Sequence, residues 1–472
     1  MQHGVTIPPN VRDSVLPPSS GDQPSRFGVL FEREPEQPED LVLGQLGRSG
    51  GQMQDAGLID QTAVRDATTP AGFTFLGQFI DHDITLMSMP PALGQPQDLI
   101  SVVNLRTPRL DLDTVFGKGP ADLDSAKFYD PATLELRLSD NGRDIVRFGP
   151  AQSEKLIPDT RNDQTVILVQ LHVLFMKLYN HLLGMIPGDP TDIARYTEAR
   201  QRTVWHFQNI VLNDYLPRIV GRDAVDAALA RGASRYAAMV ENFPSKLVMP
   251  VEFSFAAFRF GHSQLRDVYR LNANTIRVLF NQPGVVDDLN GNQPILEPLF
   301  IDWDLFFEVS ETGGGPAHPN RILSRKFDTF LSPSLLRLRP PAIPNLPVSL
   351  AERNLRRGRA FLLPSGQSVA GQIDIPAITD LGFAADVIAT QNAVTLDNEN
   401  VVDIRERTPL WYYVLREAEL AGGNQLTGVG AWIVAETFVG LLLNDERSIL
   451  NNAFTPEAGL ETMAGVARMF NT

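Results

Sequence analysis

The 472-residue chain has no cysteine. Disulfides, thiolate metal sites, iron–sulfur clusters and cysteine nucleophiles are therefore excluded. Positive charge is in deficit, with 41 Lys and Arg against 56 Asp and Glu and a net charge of −15. No nucleic-acid partner is expected, because non-specific binding needs a positive surface. The opening stretch "MQHGVTIPPNVRDSVLPPSS" has no apolar core behind a basic start. No Sec-type signal peptide is expected, so the chain would be cytoplasmic or exported by a signal-less route. Long apolar runs are also missing. The most apolar stretch, Val166 to Ile186, is interrupted by Gln170, His172, Lys177, Asn180 and His181. It reads as a buried helix rather than a transmembrane segment. Histidine is scarce, at seven residues. Any ligand set must come from these, carboxylates, Met, Tyr and amides. Oligomeric state is not legible.

Hydrophobic residues make up 43% and charged residues 21%, which suits a globular protein. Residues 1–27, rich in Pro, Ser and Gly, read as an extended N-terminal arm, and 28–472 as one domain. Helices are expected over 70–88, closed by Pro90-Pro91, and over 163–185, 194–216 and 250–264, the last containing His262. Further helices are expected over 349–362, 407–420 and 427–451. "RPPAIPNLP" (339–347) reads as a stiff connector. Strand signals are few and short. The fold expected is mainly α, one large domain with long irregular loops and little β. Such loops usually have a function.

One apolar segment stands out. "LGQFIDHDIT" (Leu76–Thr85) sets Gln78, Asp81, His82 and Asp83 among Phe, Leu and Ile. Consecutive helical residues point about 100° apart, so Asp81, His82 and Asp83 cannot share one site. Gln78 and His82, four apart, share a face. The helix can present that pair to one cavity, Asp81 to its edge, and Asp83 to a cation site behind. Zinc fits poorly, as no HxxxH or HxxE pair is present. In "TPRLDLDTVFG", Thr107, Arg109, Asp111 and Asp113 alternate, and an extended loop would point them to one side. Two carboxylates, a hydroxyl and a backbone carbonyl, with Asp83, would supply oxygen ligands for calcium. A solvated acidic loop is the plainer alternative. His172, mid-helix, reads as a satisfied core polar residue, and Phe73, Phe75 and Phe79 as core packing.

These segments carry a resemblance. "GQFIDHDIT" resembles the distal-histidine motif of the animal-type haem peroxidases, in the peroxidase–cyclooxygenase superfamily. "DTRNDQTVILVQLHVLF" (159–175) resembles their catalytic-arginine segment and "FRFGHS" (258–263) their proximal-histidine segment. "RNLRRG" (353–358) resembles the segment whose Asn partners that histidine, and "TPRLDLDTVFG" their calcium loop. Five motifs in the family's order span about residues 70 to 360. The cysteine-free chain resembles bacterial members.

The resemblance implies a haem peroxidase domain of animal type using haem b and calcium. Its substrates would be hydrogen peroxide and small-molecule electron donors, such as phenols. It implies His82 as distal base, Arg161 as the stabiliser of developing negative charge, and Gln78 as the residue orienting water or halide. It implies His262 as axial ligand of the haem iron, Asn354 accepting the proton of its other ring nitrogen, and Arg357 pairing with a propionate. The family's haem-linking glutamate falls at Gln164 and its methionine at Thr165, which leaves Asp81 as the one carboxylate for a covalent link. Halide oxidation is less expected on that account. Two rivals remain: a fatty-acid dioxygenase of the same superfamily, and a non-catalytic haem-binding or adhesion module. The first would need Tyr three residues before the proximal histidine, where Arg259 stands. The second would be expected to lose His82 or Arg161.

Overall fold

The computed structural model describes residues 25–55, 65–87, 93, 96–280, 287–338, 347–398 and 400–470. Most of the expected arm, the Pro90-Pro91 stop and most of the 339–347 connector lie outside them. Ser25–Gly28 is already a strand, antiparallel to Val103–Asn104 and parallel to Met249–Pro250. The other sheets have two short strands each, including Asp66–Pro70 with Leu323–Arg325. Helices and irregular connections make up the rest, as the sparse strand signals imply.

The apolar run folds as the helix Val166–Met185, started by Thr165, whose hydroxyl accepts from Leu168 N (3.1 Å). It is long and apolar enough, by length and composition, to cross a membrane, but most of it is buried inside the protein. It packs on Ile193–Ile210 and on Gly72–Ile84. Every residue of Gly72–Ile84 is buried.

Two expected helices are interrupted. The one expected over 194–216 runs as α-helix only to Ile210, then widens into a π turn over Val211–Tyr215 and resumes at Leu216–Val220. Pro217, which has no N–H and crowds the preceding turn, explains the widening. The turn drives Tyr215 against the Gly72–Ile84 helix, where a Cβ on Gly77 would sit 2.4 Å from the Tyr215 hydroxyl. Only glycine admits that approach. The helix expected over 250–264 breaks at Ala256. Val251–Phe255 is α-helical, and Ala257–His262 is a tighter 3-10 turn. Phe253 and Phe258 stack across the break with centroids 4.5 Å apart, and Arg259 Nε donates to the Ser254 carbonyl (3.0 Å). In a 3-10 turn residues three apart eclipse. Arg259 and His262 therefore project to the same side, which a continuous α-helix would not give so directly.

Candidate functional site

Asp81, His82 and Asp83 diverge as the helical period requires. Asp81 Oδ1 accepts from Thr85 Oγ1 (3.0 Å), His82 Nδ1 meets Asn162 Oδ1 (2.9 Å), and Asp83 turns to the 107–114 loop. His82 is fully buried, and its Nε2 has no hydrogen-bond partner. Burial first, then the charge of Arg161, holds His82 well below its ordinary pKa. The ring is therefore neutral at pH 7. Gln78 Nε2 approaches Gln164 Oε1 at 3.4 Å, so the two amides of the sequence reading meet.

Arg161 lies in a short turn, Thr160–Asp163, begun by Asp159, which accepts from Arg161 N (2.9 Å). Its guanidinium is anchored on several sides. Nε and Nη2 donate to Asp159, Nη1 to the Thr85 carbonyl (2.7 Å) and Nη2 to the His82 carbonyl (2.6 Å). Four of the five N–H groups are thereby engaged. Arg161 is a fixed charge under the C-terminal turn of the His82 helix, with one donor left on Nη1. Asp159 also binds Arg106 Nη2, and Arg106 Nη1 donates to Asp113 Oδ2 (3.1 Å). Two buried arginines thus hold Asp159 far below the usual carboxylate range, although burial alone would raise it.

The 107–113 loop is not extended. Leu110 and Leu112 both have left-handed φ, 55° and 56°. The resulting kinks bring carboxylate oxygens of Asp83, Asp111 and Asp113 within 4.8 Å of one another, all three residues buried. Oδ1 of Asp111, Oδ1 of Asp113 and Oγ1 of Thr107 have no hydrogen-bond partner. Burial and mutual repulsion push Asp83 well above the usual carboxylate range and Asp113 up to about 6. Such hard oxygen donors, crowded and short of protons, fit a divalent cation. Arg109 stands apart: its guanidinium donates to Asp445 Oδ1 (2.7 Å), and its carbonyl receives Gln208 Nε2 (3.4 Å).

The turn carrying His262 packs against the His82 helix. His262 is fully buried, and Asn354, from Leu350–Ala360, meets its Nδ1 at 2.8 Å. The pairing is as expected, but its direction is reversed. The amide nitrogen faces the ring and donates, because Asn354 Oδ1 accepts from Arg259 Nη1 (3.1 Å). Arg357 is buried, with Nε and Nη1 lacking partners. Burial, then the charges of Arg259 and Arg353, hold it well below the ordinary guanidinium value, and burial lowers Arg259 to about 10. Buried cations in this state call for anions. The carboxylates of a haem fit that need, and two buried histidines on adjoining segments fit its iron.

The sequence reading missed Asp159, Arg106 and Asn162, the last being the group that satisfies His172. The string "DTRND" held a signal, since an Asp two residues before an Arg is a natural cap and counter-ion. Nothing in the sequence pointed to Arg106.

Residues 98–398 match the family model described as animal haem peroxidase, well over half of the chain. The chain is 26% identical over 298 residues to chorion peroxidase of Aedes aegypti, covering 60% of this chain and 33% of that protein. It is 24% identical over 363 residues to heme peroxidase 2 of Caenorhabditis elegans, covering 71% and 47%. The human thyroid peroxidase match is 30% identical over 194 residues, covering 36% and 20%. The chain thus spans less than half the length of these curated relatives. Among solved structures, peroxidase A from Dictyostelium discoideum aligns with a TM-score of 0.63 at 14% identity, covering 96% of this chain and 94% of that one. The fatty acid alpha-dioxygenase of Oryza sativa aligns at 0.61 and 15%, covering 96% and 79%. These two likenesses concern the fold. The family match agrees with the motif order and the paired histidines: the chain belongs to the animal haem peroxidase family.

Proposed function

We propose that the chain is a haem-dependent peroxidase that reduces hydrogen peroxide and oxidises small donors, phenols foremost, with iodide or bromide secondary. One observation carries this reading. Two buried histidines on adjoining segments are each held through Nδ1 by an asparagine, beside a buried Arg357 whose Nε and Nη1 have no partner. Bound haem b supplies the redox chemistry.

The chain's residues supply position and protons. His82 Nε2, neutral and without a protein partner, takes the proton of hydrogen peroxide and returns it to the departing oxygen, so that water leaves. Arg161 keeps positive charge beside that transfer, held by Asp159 and two carbonyls. His262 would hold the haem iron through Nε2, which requires its proton on Nδ1. Asn354 must then turn its oxygen to the ring, and Arg259 needs a new acceptor. Haem carboxylates would give Arg357 its anion and would serve Arg259 as that acceptor. Asp83, Asp111 and Asp113 would hold calcium behind the His82 helix, with Thr107 Oγ1 and the Arg109 carbonyl as further oxygen donors. Asp81 is the single carboxylate for a covalent haem link, since the Gln164 amide cannot form an ester.

Fatty-acid oxygenation has the fold-level likeness to the rice enzyme in its favour. Against it, Arg259 occupies the place of the tyrosine that such chemistry needs, and it is bound to Asn354. A purely binding module leaves the retention of His82 and Arg161 unexplained.

The test uses haem-loaded full chain with phenols, iodide, bromide and linoleate. Phenol oxidation should dominate. His82→Ala should keep haem and slow the reaction with peroxide by about 10² to 10⁴-fold. His262→Ala should lose haem or change its Soret band. An unaltered spectrum in the second variant, or an unaltered rate in the first, would overturn the assignment.

A further inference from the structure

Asn162 follows Arg161 directly, and its side chain lies fully buried between two histidines. Oδ1 is 2.9 Å from His82 Nδ1, and Nδ2 is 3.2 Å from His172 Nδ1. An amide oxygen can only accept and an amide nitrogen can only donate. His82 Nδ1 must therefore carry its proton, and His172 Nδ1 must offer a lone pair. A neutral imidazole has one N–H, so His82 Nε2 is left as a lone pair, and it is the atom without a protein partner.

The amide cannot turn over alone. Reversing it would set its nitrogen on His82 Nδ1 and its oxygen on His172 Nδ1, so both rings would have to move their protons. The His172 ring is held in place. Its ring meets Phe79 edge-on with centroids 6.3 Å apart, and Phe79 stacks on Phe175 at 5.0 Å. Three polar side chains thus form a line anchored in an aromatic cluster, with one open end at His82 Nε2.

We propose that Asn162, braced by His172, is a positioning residue that holds His82 in the Nδ1–H tautomer, with the Nε2 lone pair free to receive a proton. The proposal rests on reading His82 as the proton acceptor. Asn162 itself touches no substrate. The reverse tautomer would put a hydrogen on Nε2 and leave nothing there to take a proton from peroxide.

The experiment uses haem-loaded full chain, reduced and carbon monoxide-bound so that it is diamagnetic, with ¹⁵N-labelled histidine. His82→Gln identifies the His82 signals by their loss. Wild type should show the proton on His82 Nδ1. Asn162→Leu should move much of the population to Nε2–H, with the Soret band unchanged and the peroxide reaction slower by about 10 to 100-fold. Asn162→Asp keeps an acceptor facing Nδ1 and should restore both the tautomer and most of the rate. If the leucine variant does not bind haem, Asn162→Ser, too short to reach both rings, should give the same shift. Retention of Nδ1–H in Asn162→Leu or Asn162→Ser overturns the proposal, as does an aspartate variant that behaves like leucine. A wild-type peroxide rate in His82→Gln would instead remove the reading of His82 on which the proposal stands.

Discussion

The two sides of the site treat buried charge in opposite ways. On the His82 side, cations and anions alternate. Arg161 and Arg106 share Asp159, and Arg106 also reaches Asp113. Nearby, Arg147 and Lys155 share Asp163. On the His262 side, Arg259, Arg353 and Arg357 crowd together. Glu352 is beside them but pairs with Arg356 at 2.8 Å. Arg259 donates to a carbonyl and an amide and has Asp81 as its one carboxylate influence, and Arg357 leaves two nitrogens without partners. The first side answers its buried arginines with its own carboxylates, and only the Asp83, Asp111 and Asp113 cluster behind it fits a cation. The second is built to receive negative charge from outside.

That contrast breaks most visibly through Asp159. Asp159→Asn leaves two buried arginines without their shared anion and should destabilise the haem-free chain by about 3–5 kcal/mol in denaturant unfolding. The matching change opposite, Arg357→Met, should leave haem-free stability equal or higher, because it removes an uncompensated cation. Equal losses in the two variants would end the comparison.

Acid should find the His82 side first. Burial lowers His172 to about 4, against an ordinary value near 6.5. Between those values the unfolded chain binds the extra proton, so stability is present above pH 6.5 and is lost as pH falls towards 4. The full shift corresponds to roughly 3 kcal/mol. His172→Phe should flatten that part of the stability–pH curve. A slope unchanged in the variant would assign the loss to other groups.

Haem retention tests the other side. Arg357→Met should weaken haem affinity by about 10 to 150-fold, the range for a lost charge-assisted hydrogen bond of about 1.5–3 kcal/mol. Titration of haem into the haem-free variant measures it, and wild-type affinity would take Arg357 off the propionate. The smallest effect is expected at Gln164, whose contact with Gln78 is long. Gln164→Leu should cost under about 1 kcal/mol of stability. It should also leave acid extraction of haem after peroxide turnover unchanged. Asp81→Val should release any haem that wild type retains, and haem found on a Gln164 peptide would refute the single-link reading.

Much of this was legible because it rests on short-range rules. Apolar periodicity located the helices Val166–Met185 and Leu350–Ala360 within a few residues. The 100° step separated Asp81, His82 and Asp83 correctly. The break at Ala256 was not legible, since it goes with Phe253 stacking on Phe258, whereas Pro217 carried a local signal for the widening at Val211 whose contact with Gly77 only packing shows. Alternation misled in the 107–113 loop, where left-handed Leu110 and Leu112 replace extension by kinks. Asn162 was invisible for another reason. Its partners His82 and His172 lie on two separate helices, and only their packing makes an amide between them meaningful.

The pairs that define each side have a bearing on assembly. His82 and Asn162 are 80 positions apart, and His262 and Asn354 are 92 apart. Each closes a long loop, yet the two loops do not overlap in sequence. Each closure is slow because its contacts are distant, and the two sides are tied by the pairing of Asp66–Pro70 with Leu323–Arg325 and by the His262 turn packing on the His82 helix. The half rich in alternating charge already holds counter-ions for its buried arginines. The arginine-rich half stays the weaker one until a ligand that binds only the folded form shifts the balance. Hydrogen exchange on the haem-free chain should accordingly show amides of Leu350–Ala360 opening before those of Gly72–Ile84, and cofactor loading should close that gap.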